Sequence, residues 1–210
     1  YVVQCEVAAM AFLRDNVKTF QFPKCYAVER PGSERARRVG AGYMLIKGFF
    51  GNTVEQACKG GGEVWELPVK TQEHIMAQWT LAQAELASFT FPTIGSISEY
   101  SPKKGPTIGP IAAGAINGFA DSGPLSSSWE YFRILADARF RSALQRSMSS
   151  STSPSSPSSS SPESPSNLIT LGHYIFRDLV HNSPHFRSLP SANGPFPFNH
   201  MDLGIQNILV

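Results

Sequence analysis

Residues 147 to 166 read "SMSSSTSPSSPSSSSPESPS", and this tract limits what the rest of the chain can do. Thirteen of the twenty are Ser and four are Pro. Such a segment has almost nothing to bury against the entropy of ordering it, so disorder is predicted there. Only residues 167 to 210 follow, too few to expect a core of their own. The tract is therefore predicted to be a surface insertion between two helices of one domain, rather than a linker between two domains.

Those last residues contain the chain's most chemically loaded stretch, "FNHMDLGIQNILV", 198 to 210. Asp202 and Asn207 stand five positions apart with the strand-like run Ile208-Leu209-Val210 directly behind. His-x-Asp-x-x-x-x-Asn is the spacing of a kinase-type catalytic loop. Phosphoryl transfer needs positioning, Mg²⁺ to neutralise developing charge, and a carboxylate near the acceptor hydroxyl. Asp202 suits the carboxylate role. The amide oxygen of Asn207 suits a metal ligand, because it adds no negative charge near phosphates. His200 would brace the loop from within. The plainer expectation is a polar turn ahead of a core strand.

Composition excludes several classes. A formal net charge of +2 offers no basic field for nucleic acid, and Arg35-Ala36-Arg37-Arg38, between Pro31-Gly32 and Gly40-Ala41-Gly42, is expected to be a solvated turn. No apolar run approaches the roughly 20 residues of a membrane span. Three widely spaced cysteines, Cys5, Cys25 and Cys58, fit reduced thiols in an intracellular, cytoplasmic setting. Tyr1 is no initiator methionine and Val210 falls inside an expected strand, so the chain is expected to be a fragment whose organelle signal, if any, lies elsewhere. Gly60-Gly61-Gly62 lacks the Lys-Ser/Thr of a phosphate loop, and Gly40-Ala41-Gly42 lacks the third glycine of G-x-G-x-x-G. His181 and His185 are separated by Asn182-Ser183-Pro184, which breaks the helix a metal pair would need. "GPLSSS" has no G-x-S-x-G nucleophile elbow.

Along the chain, Val3, Val7, Met10, Ala11 and Leu13 suggest an amphipathic helix over 1 to 14. "FPKCYAVE", 22 to 29, reads as a short strand, and "GYMLIKGFFG", 42 to 51, as a buried strand leaving into a bend. Ile75, Trp79, Ala82 and Leu86 form a stripe on a helix over 70 to 89, with Thr71 as its expected N-cap. Pro92 and Gly95 end it, a Gly/Pro-rich loop fills 101 to 124, and helices resume near Trp129 and at "LITLGHYIFRDLVHN". Trp65, Trp79 and Trp129 are expected to be packing aromatics.

Taken in order, these segments resemble the aminoglycoside phosphotransferase/choline kinase-like family, relatives of the protein kinases, and its fungal members in particular. "GPFPFNHMDLGIQNILV" looks like that family's catalytic loop, with a Pro-rich approach, His-x-Asp-Leu, and Asn before Ile-Leu-Val. "CEVAAMAFLR" resembles its N-lobe helix, "FPKCYAV" the next strand, "VGAGYMLIKGFFG" the strand and hinge between lobes, and "AQAELASFTFPTIGSI" the first long C-lobe helix with its exit. The match covers most of the chain outside the serine tract and the 101 to 124 loop.

The resemblance implies an α+β, two-lobed protein kinase-like fold truncated at both ends. A partial N-lobe would span 1–47, a hinge 48–51, and a mostly helical partial C-lobe 52–210 with the insertion at 147–166. It implies transfer of the γ-phosphate of ATP, with Mg²⁺, to a hydroxyl of an unidentified small molecule. Glu6 would be the helix glutamate that pairs with the ATP-phosphate lysine. Lys47, Gly48 and Phe49 would meet adenine through backbone groups, although relatives often carry Glu where Lys47 stands. The phosphate-covering loop and its lysine would precede Tyr1, and the second metal-binding aspartate would follow Val210, so the 210 residues alone are expected to be inactive. The competing expectation, motivated by Lys47 and those missing parts, is a non-catalytic kinase-like module that binds nucleotide or a partner.

Overall fold

The computed structural model describes residues 1–58, 64–112, 122–150, 165–188, 192–200 and 202–209. They form a mixed α+β chain of six helices, three short 3-10 turns and three two-stranded antiparallel sheets. Gly60-Gly61-Gly62, Met201 and Val210 lie outside the described residues, as does 151 to 164 of the serine tract.

The first helix, α1 (Val2–Asn16), takes its orientation from Phe12. That ring meets Phe89, Phe91 and Tyr100 edge-on, at centroid distances of 5.3, 6.0 and 5.6 Å. Such edge-to-face contacts add to simple burial. The buried stripe is therefore Cys5, Ala8, Phe12 and Leu13, not the expected Val3, Val7, Met10 and Ala11 line. Val3 stays exposed because the helix is rolled to seat its largest apolar side chain.

β1 (Cys25–Glu29) pairs with β2 (Tyr43–Ile46), opposing Ala27 to Leu45 and Val28 to Met44. The expected strand over 42 to 51 is thus shorter, and it is not buried: Leu45 is 54% exposed and Ile46 46%. A two-stranded sheet covers neither of its own faces. Between these strands, 34 to 39 is a short helix, α2 (Glu34–Val39), where a turn was expected. The Ser33 hydroxyl accepts from the Ala36 N–H, and Gly40 closes the helix at φ +89, a conformation only glycine adopts freely. Its arginines remain solvated, with the Arg35 and Arg38 side chains each 75% exposed.

After α3 (Val54–Ala57), capped reciprocally by Thr53 and Gln56, comes α4 (Val69–Ser88). Pro68, not Thr71, precedes α4, and the Thr71 N–H donates to the Pro68 carbonyl. Pro fits there because, just ahead of the helix with ψ 138, its missing N–H removes no helical hydrogen bond. Ile75 and Leu86 are buried, as the stripe predicts; Trp79 is half-buried and Trp65, 70% exposed, is not a packing aromatic here. The Glu85 carboxylate clamps the α1 exit, accepting from Lys18 N at 2.8 Å and Thr19 N at 3.0 Å. The Thr19 hydroxyl, then the Lys18 N–H, hold its carboxyl below the usual glutamate range.

β3 (Thr90–Phe91) pairs with β6 (Phe196–Pro197), and β4 (Ser96–Ser101) with β5 (Gly105–Gly109). The expected loop over 101 to 124 therefore begins as a hairpin, with Ile97 opposite Ile108. Gly95 has to be glycine, since a Cβ there would strike the Gly109 carbonyl. α1 lies on this hairpin, so Ala8, Phe12, Leu13, Leu86 and Ile97 share one core that crosses the expected 48–51 hinge.

α5 (Ser128–Ser150) and α6 (Pro165–Asn182) pack side by side and flank the serine tract. Both run into it, because Ser147–Ser150 continue α5 and Pro165–Ser166 begin α6. Serine disfavours a helix interior only mildly, and Pro is accepted in its first turn. α5 starts on a Ser-x-x-Glu signal. The Ser127 hydroxyl accepts from Glu130 N, while the Glu130 carboxylate accepts from Ser126 N at 2.8 Å and is held below its ordinary pKa by the Ser126 backbone and hydroxyl. No described helix is long and apolar enough to cross a membrane, and all three cysteines are free thiols.

Leu86 is 1% exposed at the centre of the shared core. Leu86→Ala is expected to lower unfolding stability by about 3 kcal/mol. Urea denaturation followed by circular dichroism checks this; a loss below about 1 kcal/mol would show that α1 and α4 do not depend on one another.

Candidate functional site

The segment from Gly194 to Leu209 is pinned at two points. On the near side Phe196 and Pro197 pair with β3, the Phe198 N–H donates to Phe89 O at 2.8 Å, and the Phe198 ring lies 6.4 Å from Phe91. On the far side the Val54 N–H donates to Ile208 O at 2.8 Å and Leu209 bridges to Thr53. Ile205 and Ile208 pack on the buried trio Val54, Cys58 and Ile75. The alternation in the sequence explains this: Ile205 and Ile208 face inward across one 3-10 turn (Ile205–Asn207), and the polar residues around them are left outside. The expected strand after Asn207 reduces to that single bridge at Leu209 among the described residues.

Within this strap the structure brings Asp202 and Asn207 together. The Asn207 side-chain amide donates to the Asp202 carbonyl at 2.9 Å and to its carboxylate Oδ2 at 3.2 Å. Gln206 Nε2 approaches the other oxygen, Oδ1, at 3.5 Å. Both bonds from Asn207 use its nitrogen, which leaves its amide oxygen as a neutral hard donor beside an exposed carboxylate. His200 sits differently: it is exposed and makes no hydrogen bond among the described residues, so it does not brace the loop from within.

No hydrogen bond or ion pair joins Glu6 or the 47–49 segment to this pair among the described residues. Glu6 is exposed on α1. The Lys47 N–H donates to Lys24 O at 2.8 Å, and the Lys47 ammonium lies 5.8 Å from the Phe49 ring. A side chain at Gly48 would meet no atom within 4 Å, and Phe50 beside Phe49 is fully exposed.

A second polar cluster was not anticipated. Asp137 on α5 accepts from Arg177 Nε at 2.7 Å and lies 3.1 Å from His181 Nε2, both on α6. Burial raises the Asp137 carboxyl, but the hydrogen bonds from Arg177 and His181 outweigh it and hold the pKa below the ordinary aspartate value. Trp129 reinforces the helix pair: its Nε1 donates to Val180 O, and the Arg187 guanidinium lies 4.8 Å from its ring. Arg177 and His181 are four apart on one helix face, which is the only local signal; Asp137 is 40 residues away, across the serine tract. His181 is thus paired to a carboxylate, and no group of three or more His, Cys, Asp or Glu among the described residues could hold a metal.

No protein-family model, curated protein or solved structure matches this chain.

A depressed carboxylate stabilises the fold above its unfolded pKa and loses that contribution as pH falls through the folded value. The melting temperature of the parent should therefore exceed that of Asp137→Asn at pH 7, with the gap closing toward pH 3. Differential scanning calorimetry of the two proteins across that range is the check; a gap independent of pH would contradict the Asp137 ion-pair account.

Proposed function

We propose that this chain carries the catalytic loop of a two-lobed, kinase-like phosphotransferase of the aminoglycoside phosphotransferase/choline kinase-like type, which moves the ATP γ-phosphate to a hydroxyl of a small molecule. The supporting observation is that Asp202 and Asn207, chosen by spacing, meet side chain to side chain on a strap pinned at both ends. In this role the Asp202 carboxylate orients the acceptor hydroxyl and takes its proton. The Asn207 amide oxygen is the metal donor. A neutral amide oxygen suits Mg²⁺, which takes few protein ligands and completes its shell with water and phosphate oxygens. When bound, Mg²⁺·ATP supplies the phosphoryl group and the positive charge that neutralises it in transfer. The exposed Glu6 is available to a lysine ammonium, whereas His200 has no comparable support.

Of the second reading, a non-catalytic module that binds nucleotide or a protein partner, one observation favours the partner-binding form. The Lys47 N–H, which adenine would use at a hinge, is engaged by Lys24 O.

Both readings separate on the natural full-length protein. Magnesium·ATP should raise its melting temperature, since a ligand of the folded state stabilises it. Asn207→Ala should abolish the magnesium dependence of that shift. Asp202→Ala should keep the shift yet lower transfer of labelled γ-phosphate to hydroxyl-bearing small molecules by about 10²- to 10⁴-fold. Equal turnover in Asp202→Ala defeats the catalytic assignment; a shift without transfer in the parent selects the binding module.

A further inference from the structure

We infer that the groove between α5 and α6 is a binding site for a small organic carboxylate with an apolar body. An open surface groove of about 400 Å³ lies there, lined by Asp137, Phe140, Arg141, Leu144 and Arg177. Its polarity follows from how Asp137 is used. On an isolated helix, Asp137 would pair with Arg141 four residues later. Here its carboxylate is taken across the interface by Arg177 and His181 of α6. Arg141 is left as a cation with no hydrogen bond or ion pair among the described residues.

Arg177 is fixed in place by the same arrangement. Its Nε is held at 2.7 Å from Asp137 and its guanidinium lies 5.6 Å from the Phe140 ring. Those contacts use one of its five N–H donors, and its terminal nitrogens have no partner among the described residues. Two guanidiniums against one already-paired carboxylate give the lining a net positive charge. Guanidinium N–H groups match the two coplanar oxygens of a carboxylate. Phe140 and Leu144 supply the apolar wall. A phosphate could also use these donors, but it would leave the Phe140–Leu144 wall uncovered, which a carboxylate with an apolar body would fill. This assignment is independent of any role for Asp202.

Isothermal titration of the 210-residue protein with 3-phenylpropionate, its neutral amide and inorganic phosphate tests it. The acid should bind saturably and about tenfold more tightly than the amide, the size expected when a charge-assisted hydrogen bond is lost. Arg141→Gln leaves the Asp137–Arg177 pair intact and changes only an exposed side chain, so it should fold like the parent while binding the acid about fivefold more weakly. Absence of saturation, equal affinity for acid and amide, phosphate binding more tightly than the acid, or an unchanged affinity in Arg141→Gln would each overturn the site.

Discussion

The burial of Ile205 and Ile208 against Val54, Cys58 and Ile75 is the contact on which the candidate site depends. A polar strap has little reason to hold one shape in water, where each of its groups can be solvated instead. Two isoleucines three apart give it an inward face, and the Val54 N–H to Ile208 O bond fixes its height above α3. With Phe198 tied into the aromatic core on the other side, the intervening residues have only a short span to cross. Asp202 and Asn207 meet because both ends of their loop are fixed, and the hydrogen bonds between them then settle the side chains.

The two anchors belong to different clusters of apolar residues. The first joins α1, α4 and the β4–β5 hairpin around Phe12 and Leu86; the second joins α3, the start of α4 and the closing strap. α4 contributes Leu86 to one and Ile75 to the other, so its twenty residues act as the beam that spaces them. The α5–α6 pair buries Ala136 and Val180 and brings the Phe140 and Tyr174 rings to 5.8 Å. A partly exposed ion-pair cluster and stacked cations on Trp129 add to this packing. Exposed pairs of this kind contribute little stability individually, so geometry and not strength is their main product.

The sequence carried the helices well, because apolar spacing and caps are local properties. α1, α4, α5 and α6 all lie close to the segments expected to be helical, and Asp202 and Asn207, picked out together by spacing, are joined by hydrogen bonds. What it did not carry was rotation and partnership. The roll of α1 follows from three aromatic rings at 89, 91 and 100, far along the chain. The exposure of Leu45 and Ile46 depends on what does not cover β2, which no strand pattern can state. The charge run at 35 to 38 looked like a turn because its flanking prolines and glycines are turn formers, yet Ser33 and Gly40 are equally good helix caps. Asp137 was silent because its partners come from beyond the serine tract.

The central claim is that a metal ion held by the Asn207 amide oxygen lies close beside the Asp202 carboxylate. Paramagnetic Mn²⁺, added as a trace stand-in for Mg²⁺ in the presence of ATP, offers the most direct view of it. In a spectrum of the isotopically labelled natural protein, the Asn207 side-chain amide and the Asp202 carboxyl carbon should broaden beyond detection first. If both stay sharp while signals elsewhere disappear, the metal sits at another place and the account of this loop is wrong.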